Sequence, residues 1–474
     1  MAHKIHVLVM RQNKVVDLIG EYVSSTSNEL QAFACAVLQS IFMGCDPLCA
    51  TNRFVVANCL VDSADSMRFR EFVLGELYGI MSKKFHVKLR MYTFGSYRLG
   101  VNSPGADIDI LFVGPAELHV PDFIRRATKT LSKSEKVTEL VSVDGATVPI
   151  IKFRYDGVDI DLAYAFVRYD VLPDDLNILS DRILRGCDDA VCRTLNGSRV
   201  TDTLFHMVRH VEAFQTAARF IKFWAKQRGV YSNVMGFLGG ISWQIMLVKV
   251  CLIFPDEDNA DTLVRQFFHM FGHVWKWPTP VFLTKHLPDD MVLQLKDHRH
   301  MMPIITPCTP CMNSSFNVYE STRCIIQDEL KRGYFILQAA KDVGSSVFTS
   351  YGEVCKKMIF STNNKLYIQV VAEASTAEDQ LVWKGFVQSK FRRFVVMLER
   401  RYIRVKYIPC ATSTFVSDIC EKFRIGVILY EHTIDDIHVS EKFSIFQEQL
   451  NKFKDIVPGM RVNMEFRMRT KRKR

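Results

Sequence analysis

The stretch FGSYRLGVNSPGADIDILFVG, from Phe94 to Gly114, decides how this 474-residue chain is read. It places a Gly-Ser pair, Gly95 and Ser96, ahead of two carboxylates, Asp107 and Asp109. Ile108, Ile110, Leu111, Phe112 and Val113 form an apolar run of strand length, so the two acids, two residues apart, project from one face. Two acids on an otherwise apolar strand are costly unless a cation neutralises them. A divalent metal supplies that charge, and Mg²⁺ is commonly held by one or two carboxylates together with substrate phosphates. The plainer reading is a PGAD turn followed by two solvated acids. The Gly-Ser element ahead of the pair tips the balance toward a site.

A third acid lies further on, in VDIDLAYAF. Asp156 and Gly157 separate VPIIKFRYDG from this segment and predict a hairpin. Alternation puts Val158, Ile160 and Leu162 on one face and Asp159 and Asp161 on the other. Asp161 sits deeper in the apolar run and is the preferred third ligand, leaving Asp159 solvated. Three acids around two metals about 4 Å apart suit in-line phosphoryl transfer. Gly95 allows the backbone close to a phosphate, and Ser96 can donate to it from both N–H and hydroxyl. No GxxxxGK[ST] occurs anywhere, which argues against a P-loop NTPase. In VEAFQTAARFIKFWAKQRGVYSN, helical spacing puts Arg219, Lys222 and Lys226 on one face. Tyr231, Asn233 and the glycine cluster GFLGG follow, suited to sugar, base and close backbone contacts.

Composition sets the outer bounds. Hydrophobic residues make up 48% and charged residues 24%, which fits a folded soluble protein of roughly two to four domains. The first residues carry no secretion signal, and the longest apolar stretch, Ile241 to Phe254, contains Lys249 and is too short to span a bilayer. These features predict a soluble intracellular protein. The 13 cysteines are scattered and odd in number, as reduced thiols are. Cys308 and Cys311 form a CxxC without a second pair, which argues against structural zinc. From Leu381 to Arg474 there are 20 Lys+Arg against 10 Asp+Glu, so the whole net charge of +10 lies in that segment. A basic end on a neutral body suggests a polyanion, with nucleic acid first and a membrane surface second. The closing RMRTKRKR reads equally as a solvated tail or an import signal.

Residues up to about 90 read as mostly helical, in ELQAFACAVLQSIF and SMRFREFVLGELYGIM. An α/β block follows, with the strand IDILFVG, a polar helix-like stretch around Asp122 to Lys136, and the hairpin. Val191 to Arg332 returns to helix, with a breaker-rich interval between Trp275 and Asn313. The last part combines a helix near Asp379 to Arg401, strand-like runs RYIRVKYI, FRIGVILY and MRVNMEFRMR, and a helix across SEKFSIFQEQLNKF. That mixture predicts a small α/β sandwich carrying the positive charge.

FGSYRLGVNSPGADIDILFVGP, VPIIKFRYDGVDIDLAYA, TLNGSRVTDTL, ARFIKFWAKQRGVYSNVMGFLGGISW and MPIITPCTPCMNSSFNVYEST occur in this order. Together they resemble the nuclear-type eukaryotic poly(A) polymerases, members of the DNA polymerase beta-like nucleotidyltransferases. The likeness is strong from Tyr92 to Arg332 and weaker in WKGFVQSKFRRFVVMLE and FRIGVILY. It implies an α+β multidomain fold: a nucleotidyltransferase palm of mixed sheet and helices, a helical middle domain, and a C-terminal α/β sandwich like an RNA-recognition motif. The corresponding divisions are an N-terminal helical segment over 1–90 packing with palm and middle domain, a catalytic domain over 91–190, a helical domain over 191–345, and an RNA-binding domain with basic tail over 346–474.

The resemblance implies metal ligands at Asp107, Asp109 and Asp161, in agreement with the separate choice of Asp161 over Asp159. It puts nucleotide contacts on Phe94, Gly95 and Ser96, with Ala106 beside them. Lys222 and Tyr231 fall at triphosphate contacts, Gly240 and Ile241 at further nucleotide contacts, and Asn196 and Asn233 near adenine or the primer end. Lys390, Arg392 and Arg393 are the basic residues expected to bind RNA, with the reactive strand running between palm and C-terminal domain. The implied reaction is template-independent addition of AMP from ATP to RNA 3′ ends, with two Mg²⁺ or Mn²⁺ ions and release of pyrophosphate. A monomer working with cleavage and polyadenylation factors in the nucleus is expected, the cytoplasm being the other location. Rival readings are a terminal uridylyltransferase, a CCA-adding enzyme, or a silent RNA-binding subunit. The chain departs from the family pattern at Thr147, where an aromatic residue is common, and within Cys308-Thr309-Pro310-Cys311, where another aromatic is replaced. It also lacks the family's Pro-rich opening and long Ser/Thr-rich tail.

Overall fold

The structure is a computed structural model and describes residues 49–143, 149–297, 299–342, 347–358, 366–401, 405–409, 414–429 and 436–468. Most of the first 90 residues, Thr147 and the end of the basic tail lie outside the described residues.

Two helices open the described chain. α1 (Ala50–Ala57) is followed by α2 (Ala64–Phe85), whose start is capped by the Ser63 hydroxyl accepting from the Ser66 N–H at 3.1 Å. α2 buries Val73, Leu77, Met81 and Phe85, the four-residue spacing that puts side chains on one face.

Next come β1 (Arg90–Phe94), the single turn α3 (Gly95–Arg98), β2 (Ile108–Gly114), α4 (Val120–Leu131), β3 (Val137–Val143), β4 (Ile150–Tyr155) and β5 (Val158–Phe166). The sheet order is β1-β2-β5-β4-β3. β2 and β5 run parallel and the other pairs antiparallel. The hairpin between β4 and β5 forms where expected, with Asp156 and Gly157 at φ 46° and 82°, the left-handed values a tight two-residue turn requires.

The two faces of this sheet feed two cores. Ile108, Ile110, Phe112, Ile160 and Leu162 pack with α2 and α4, while Leu111, Val113, Ala163 and Ala165 face the other way. That second face is covered by α5 (Asp189–Met207), through Val191 and Leu195. Asp109 and Asp161 belong to the second face, just ahead of the residues that α5 covers.

The helical region continues with α6 (Val211–Gln227), α7 (Gly240–Ile253), α8 (Ala260–His269), the short α9 (Asp289–Gln294), α10 (Glu320–Asp342) and α11 (Val347–Val354). Trp224, Trp243 and Phe268 lie at its centre, with the Trp224 and Phe268 rings 4.8 Å apart edge to face. α11 packs back on α1, since the Tyr351 and Phe54 rings are 6.0 Å apart. The Asp261 carboxylate accepts from the Ala50 and Thr51 N–H groups at 2.9 and 2.6 Å, capping α1 from α8.

The last unit comprises β6 (Leu366–Glu373), α12 (Ala377–Arg401), β7 (Val405–Pro409), β8 (Thr414–Ser417), β9 (Cys420–Leu429), α13 (Asp436–Leu450) and β10 (Arg461–Met468). Its antiparallel sheet has the order β10-β6-β9-β7, with β8 on β9. This is the 4-1-3-2 arrangement of a βαββαβ sandwich, the RNA-recognition-motif-like architecture expected of the C-terminal segment. One core cluster runs unbroken from Phe54 and Trp224 to Ile368, Trp383, Phe391 and Phe446, so helical region and sandwich are packed as one body. No helix among the described residues is long and apolar enough to cross a membrane.

Candidate active site

Parallel pairing of β2 with β5 sets Asp109 directly beside Asp161, and Asp107 stands two residues earlier at the mouth of β2. The three can bring one carboxylate oxygen each within 4.8 Å of one another. Such crowding disfavours full ionisation. Burial first, then the charges of Asp107 and Asp161, push the Asp109 carboxyl up to about 7, against the pull of Lys152 and Lys222. Burial also raises Asp161, although Lys152 donates to its carboxylate.

The donor set fits a hard divalent cation. All three ligand groups are carboxylates, and the backbone leaves room beside them, because Gly95 lies at φ 65° and a β-carbon there would collide with the Asp109 carboxylate. A side chain at this position would fill the cradle.

Phe94 ends β1 opposite Asp109, so the Gly95-Ser96 turn starts at the acids themselves. α5 braces that turn. The Thr201 hydroxyl accepts from the Gly95 N–H at 3.1 Å and donates to the Gly197 carbonyl at 2.8 Å. Gly197 lies so close to the Phe94 ring that a β-carbon would come within 3.0 Å of it. Ala106 delivers Asp107 from a short turn, its N–H bonded to the Ser103 carbonyl at 3.0 Å. Its own carbonyl accepts from Arg70 at 2.7 Å, and Arg70 is paired in turn with Asp62 at 3.1 Å.

Positive charge comes from α6. Lys222 is only 8% exposed, and burial first, then Lys226, bring its ammonium down to about 8 although Asp107 and Asp109 favour the charge. The three basic residues expected to share a face do not act alike. Lys226 is exposed, with its ammonium 5.6 Å from the centre of the Tyr231 ring, whereas Arg219 donates to the Gly100 carbonyl. The Tyr231 hydroxyl is pushed up to about 12 by burial, and then by Asp107 and Asp109. It rests against Gly240, where a β-carbon would lie 2.8 Å from the oxygen. Gly240 and the half-buried Ile241 open α7.

The structure therefore gathers Phe94, Gly95, Asp107, Asp109, Asp161, Lys222, Tyr231 and Gly240 around one centre. Asn196 lies beside Gly197, but its Nδ2 is engaged by the Pro310 carbonyl at 2.9 Å. Asn233 is exposed on the loop that precedes α7 and accepts from Asn317. The three basic residues of α12 diverge. Lys390 sits 4.5 Å from the Phe386 ring centre, Arg392 bonds Asn317, and Arg393 is exposed, lining with Arg299, Phe316 and Lys442 a cleft of about 910 Å³. Cys308 and Cys311 are free thiols, and the acidic triad is the only metal-capable group of side chains among the described residues.

Sequence reasoning missed Lys152, Arg70 and Asn317. Lys152 was derivable, because a two-residue turn at Asp156-Gly157 pairs residue 152 with 161 and 154 with 159. The same pairing explains Asp159, whose carboxylate is held by Arg154 at 2.8 Å and takes no part in the triad. Replacing Asp159 by Asn is accordingly expected to change catalytic rate by less than about threefold, since an exposed pair of this kind contributes little. Steady-state assay beside Asp161→Asn checks this, and a loss of equal size in both variants would contradict it.

Comparison with known proteins gives a consistent result. Three family models match in chain order: the poly(A) polymerase nucleotidyltransferase domain over 68–208, the poly(A) polymerase central domain over 213–349, and the poly(A) polymerase predicted RNA binding domain over 359–421. Nuclear poly(A) polymerase 4 of Arabidopsis thaliana is 40% identical over 377 residues, 74% of this chain and 49% of that protein. Nuclear poly(A) polymerase 1 of the same plant is 41% identical, over 66% of this chain and 44% of its own length. A poly(A) polymerase of Dictyostelium discoideum is 36% identical, over 72% and 44% respectively. The chain thus spans about half the length of the curated relatives it matches. Among solved structures, a cytoplasmic RNA terminal U-transferase overlays with a TM-score of 0.49 at 15% identity, covering 66% of this chain and 99% of that one. An overlay at that level speaks to neither substrate nor reaction. With three successive domains of one family matched in order, and the acids of the first domain assembled as described, this chain belongs to the poly(A) polymerase family.

Proposed function

We propose that this chain adds AMP from ATP, without a template, to the 3′ end of RNA. The observation that carries the reading is the meeting of three carboxylates with a buried lysine and a half-buried tyrosine, both of which feel the charges of Asp107 and Asp109. Carboxylates alone would suit hydrolysis or mere metal storage. A cation facing them from α6 adds a place for a polyphosphate.

Asp107, Asp109 and Asp161 would hold two divalent ions, Mg²⁺ or Mn²⁺, which when bound activate the attacking hydroxyl and neutralise the leaving pyrophosphate. The remaining residues bind and orient. Lys222 supplies a desolvated positive charge for the triphosphate, worth more there than at the surface. The Tyr231 hydroxyl keeps its proton at neutral pH and serves as a donor. Gly95 lets the chain approach a phosphate closely, and Ser96 donates to it. Lys152 holds Asp161 in place from the neighbouring strand. Ala106, Gly240, Ile241 and Asn196 shape the walls of the nucleotide cleft, and Asn233 faces the base. RNA is held by the sandwich, with Arg393 and Lys390 as phosphate contacts. The basic segment does not read sequence, so cleavage and polyadenylation factors direct a monomeric enzyme to its transcripts. The names of the plant relatives support action in the nucleus.

Incubating RNA with each nucleotide separately tests the reaction. ATP is expected to be incorporated at least about tenfold better than any other nucleotide, the margin of one or two good hydrogen bonds. Efficient use of UTP or CTP with poor use of ATP would overturn the assignment.

A further inference from the structure

Asn317 belongs to none of the motifs read from the sequence, yet it lies between α12 and the loop that carries Asn233. Its Nδ2 donates to the Asn233 Oδ1 at 3.2 Å and to the Asn233 backbone carbonyl at 3.3 Å. Its own Oδ1 accepts from a guanidinium nitrogen of Arg392. A guanidinium only donates, so the group that meets Arg392 must be the oxygen of the Asn317 amide. The nitrogen of Asn317 is thereby committed to Asn233, which must answer with its oxygen. What Asn233 has left for the cleft is its NH₂, a donor. Hydrogen-bond polarity passes through two amides from a fixed charge on the C-terminal sandwich to Asn233, which packs against Gly239 at the start of α7, one residue before the Gly240 that meets the Tyr231 hydroxyl.

We infer that Arg392 and Asn317 are positioning residues for base selection, which hold Asn233 with its Nδ2 toward ring position 1 of the incoming purine, so that adenine is accepted and guanine rejected. This rests on the adenylyl-transfer reading above. Purine chemistry singles out the position. Adenine N1 is an acceptor where guanine carries N–H. At position 6 the preference runs the other way, because adenine has an amino group and guanine a carbonyl, while N3 and N7 accept in both. A donor that favours adenine over guanine therefore meets N1. The arrangement makes the RNA-binding sandwich part of the nucleotide filter, since the donor is fixed only while α12 is docked.

Equilibrium binding of ATP, GTP, 1-deaza-ATP and 7-deaza-ATP to the full chain, with Mg²⁺ present, provides the test. In the unaltered chain 1-deaza-ATP is expected to bind about tenfold more weakly than ATP, the loss of one hydrogen bond that leaves a donor unpaired. 7-deaza-ATP should bind as ATP does. Asn317→Asp still accepts from Arg392 but offers Asn233 no donor, so Asn233 turns its NH₂ to the new carboxylate and its oxygen to the base. The ATP to GTP affinity ratio then falls by about tenfold, through tighter GTP as well as weaker ATP, and sensitivity to 1-deaza substitution disappears. Arg392→Ala frees both amides to turn, lowering the ratio by about threefold, and Arg392→Lys, another pure donor, restores it. Unchanged ratios and an unchanged 1-deaza response in Asn317→Asp and Arg392→Ala overturn the relay. RNA tailing by the same preparations separates the two readings. Selective binding without tailing by the unaltered chain removes adenylyl transfer and supports the relay, whereas tailing with undisturbed selectivity in the variants removes the relay alone.

Discussion

Asp109→Asn is expected to lower nucleotidyl transfer by about 10³-fold or more while raising the melting temperature of the metal-free protein at pH 8. The first effect follows from removing a ligand at the centre of the triad, where several kcal/mol of transition-state charge stabilisation depend on it. The second follows from the pKa. The Asp109 carboxyl is raised from 3.8 to about 7, so the folded chain holds a proton there that the unfolded chain has released. The stability this proton confers is full below pH 4 and is lost as the pH rises through about 7. At pH 8 the ionised carboxylate destabilises the folded state by about 4 kcal/mol, and the amide does not. Adding Mg²⁺ should reverse the order, stabilising the unaltered chain and leaving the variant where it was. Thermal melts at pH 4 and pH 8, with and without Mg²⁺, decide the matter. Equal melting temperatures at pH 8 without metal would show that the three carboxylates do not strain one another.

Lys222→Met should raise KM for ATP by about 10- to 100-fold with a smaller change in kcat, because the charge is met by the triphosphate in ground and transition states alike. Its pH dependence is the sharper signature. The ammonium of the free protein releases its proton near pH 8, so kcat/KM for ATP should fall above that value in the unaltered chain. The acid limb near 7 belongs to Asp109 and should move downward as Mg²⁺ is increased, since the metal competes with the proton. The alkaline limb should not follow it. Lys222→Arg, whose charge persists to higher pH, should move only the alkaline limb. An alkaline limb that stays at pH 8 in this variant would assign it to another group.

Much of the site was legible because its chemistry is written in local pattern. Period-two alternation put Asp107 and Asp109 on one strand face, and the Asp-Gly turn set the hairpin. Depth in the apolar run separated Asp161 from Asp159. What escaped depended on contacts between distant segments. Arg70 reaches Ala106 from α2, and Asn317 reaches Asn233 and Arg392 across two units, so neither leaves a mark in its own neighbourhood. The face shared by Arg219, Lys222 and Lys226 was correct as helix geometry yet silent about burial, which the packing of α6 against the palm decides. β3 was hidden for a different reason. VTELVSV lacks clean alternation, and the strand carries a register shift after Thr138 with Glu139 at φ 54°. β6, in LYIQVVAE after the polar run STNNK, was passed over.

The parallel pairing of β2 with β5 also orders the assembly of the molecule. β4 and β5 are neighbours in sequence and close through a two-residue turn, so the Lys152 and Asp161 pair can form early, by local search alone. Asp109 reaches Asp161 only across a crossover that includes α4 and the hairpin itself. The approach of Asp161 to Asp109, the weaker of the two repulsions that Asp109 meets, thus waits on that crossover, while Asp161 can already have a cation beside it. A metal ion bound by all three acids would join β2 to β5 through their side chains as well as their backbones, and so act as a lock on the finished sheet.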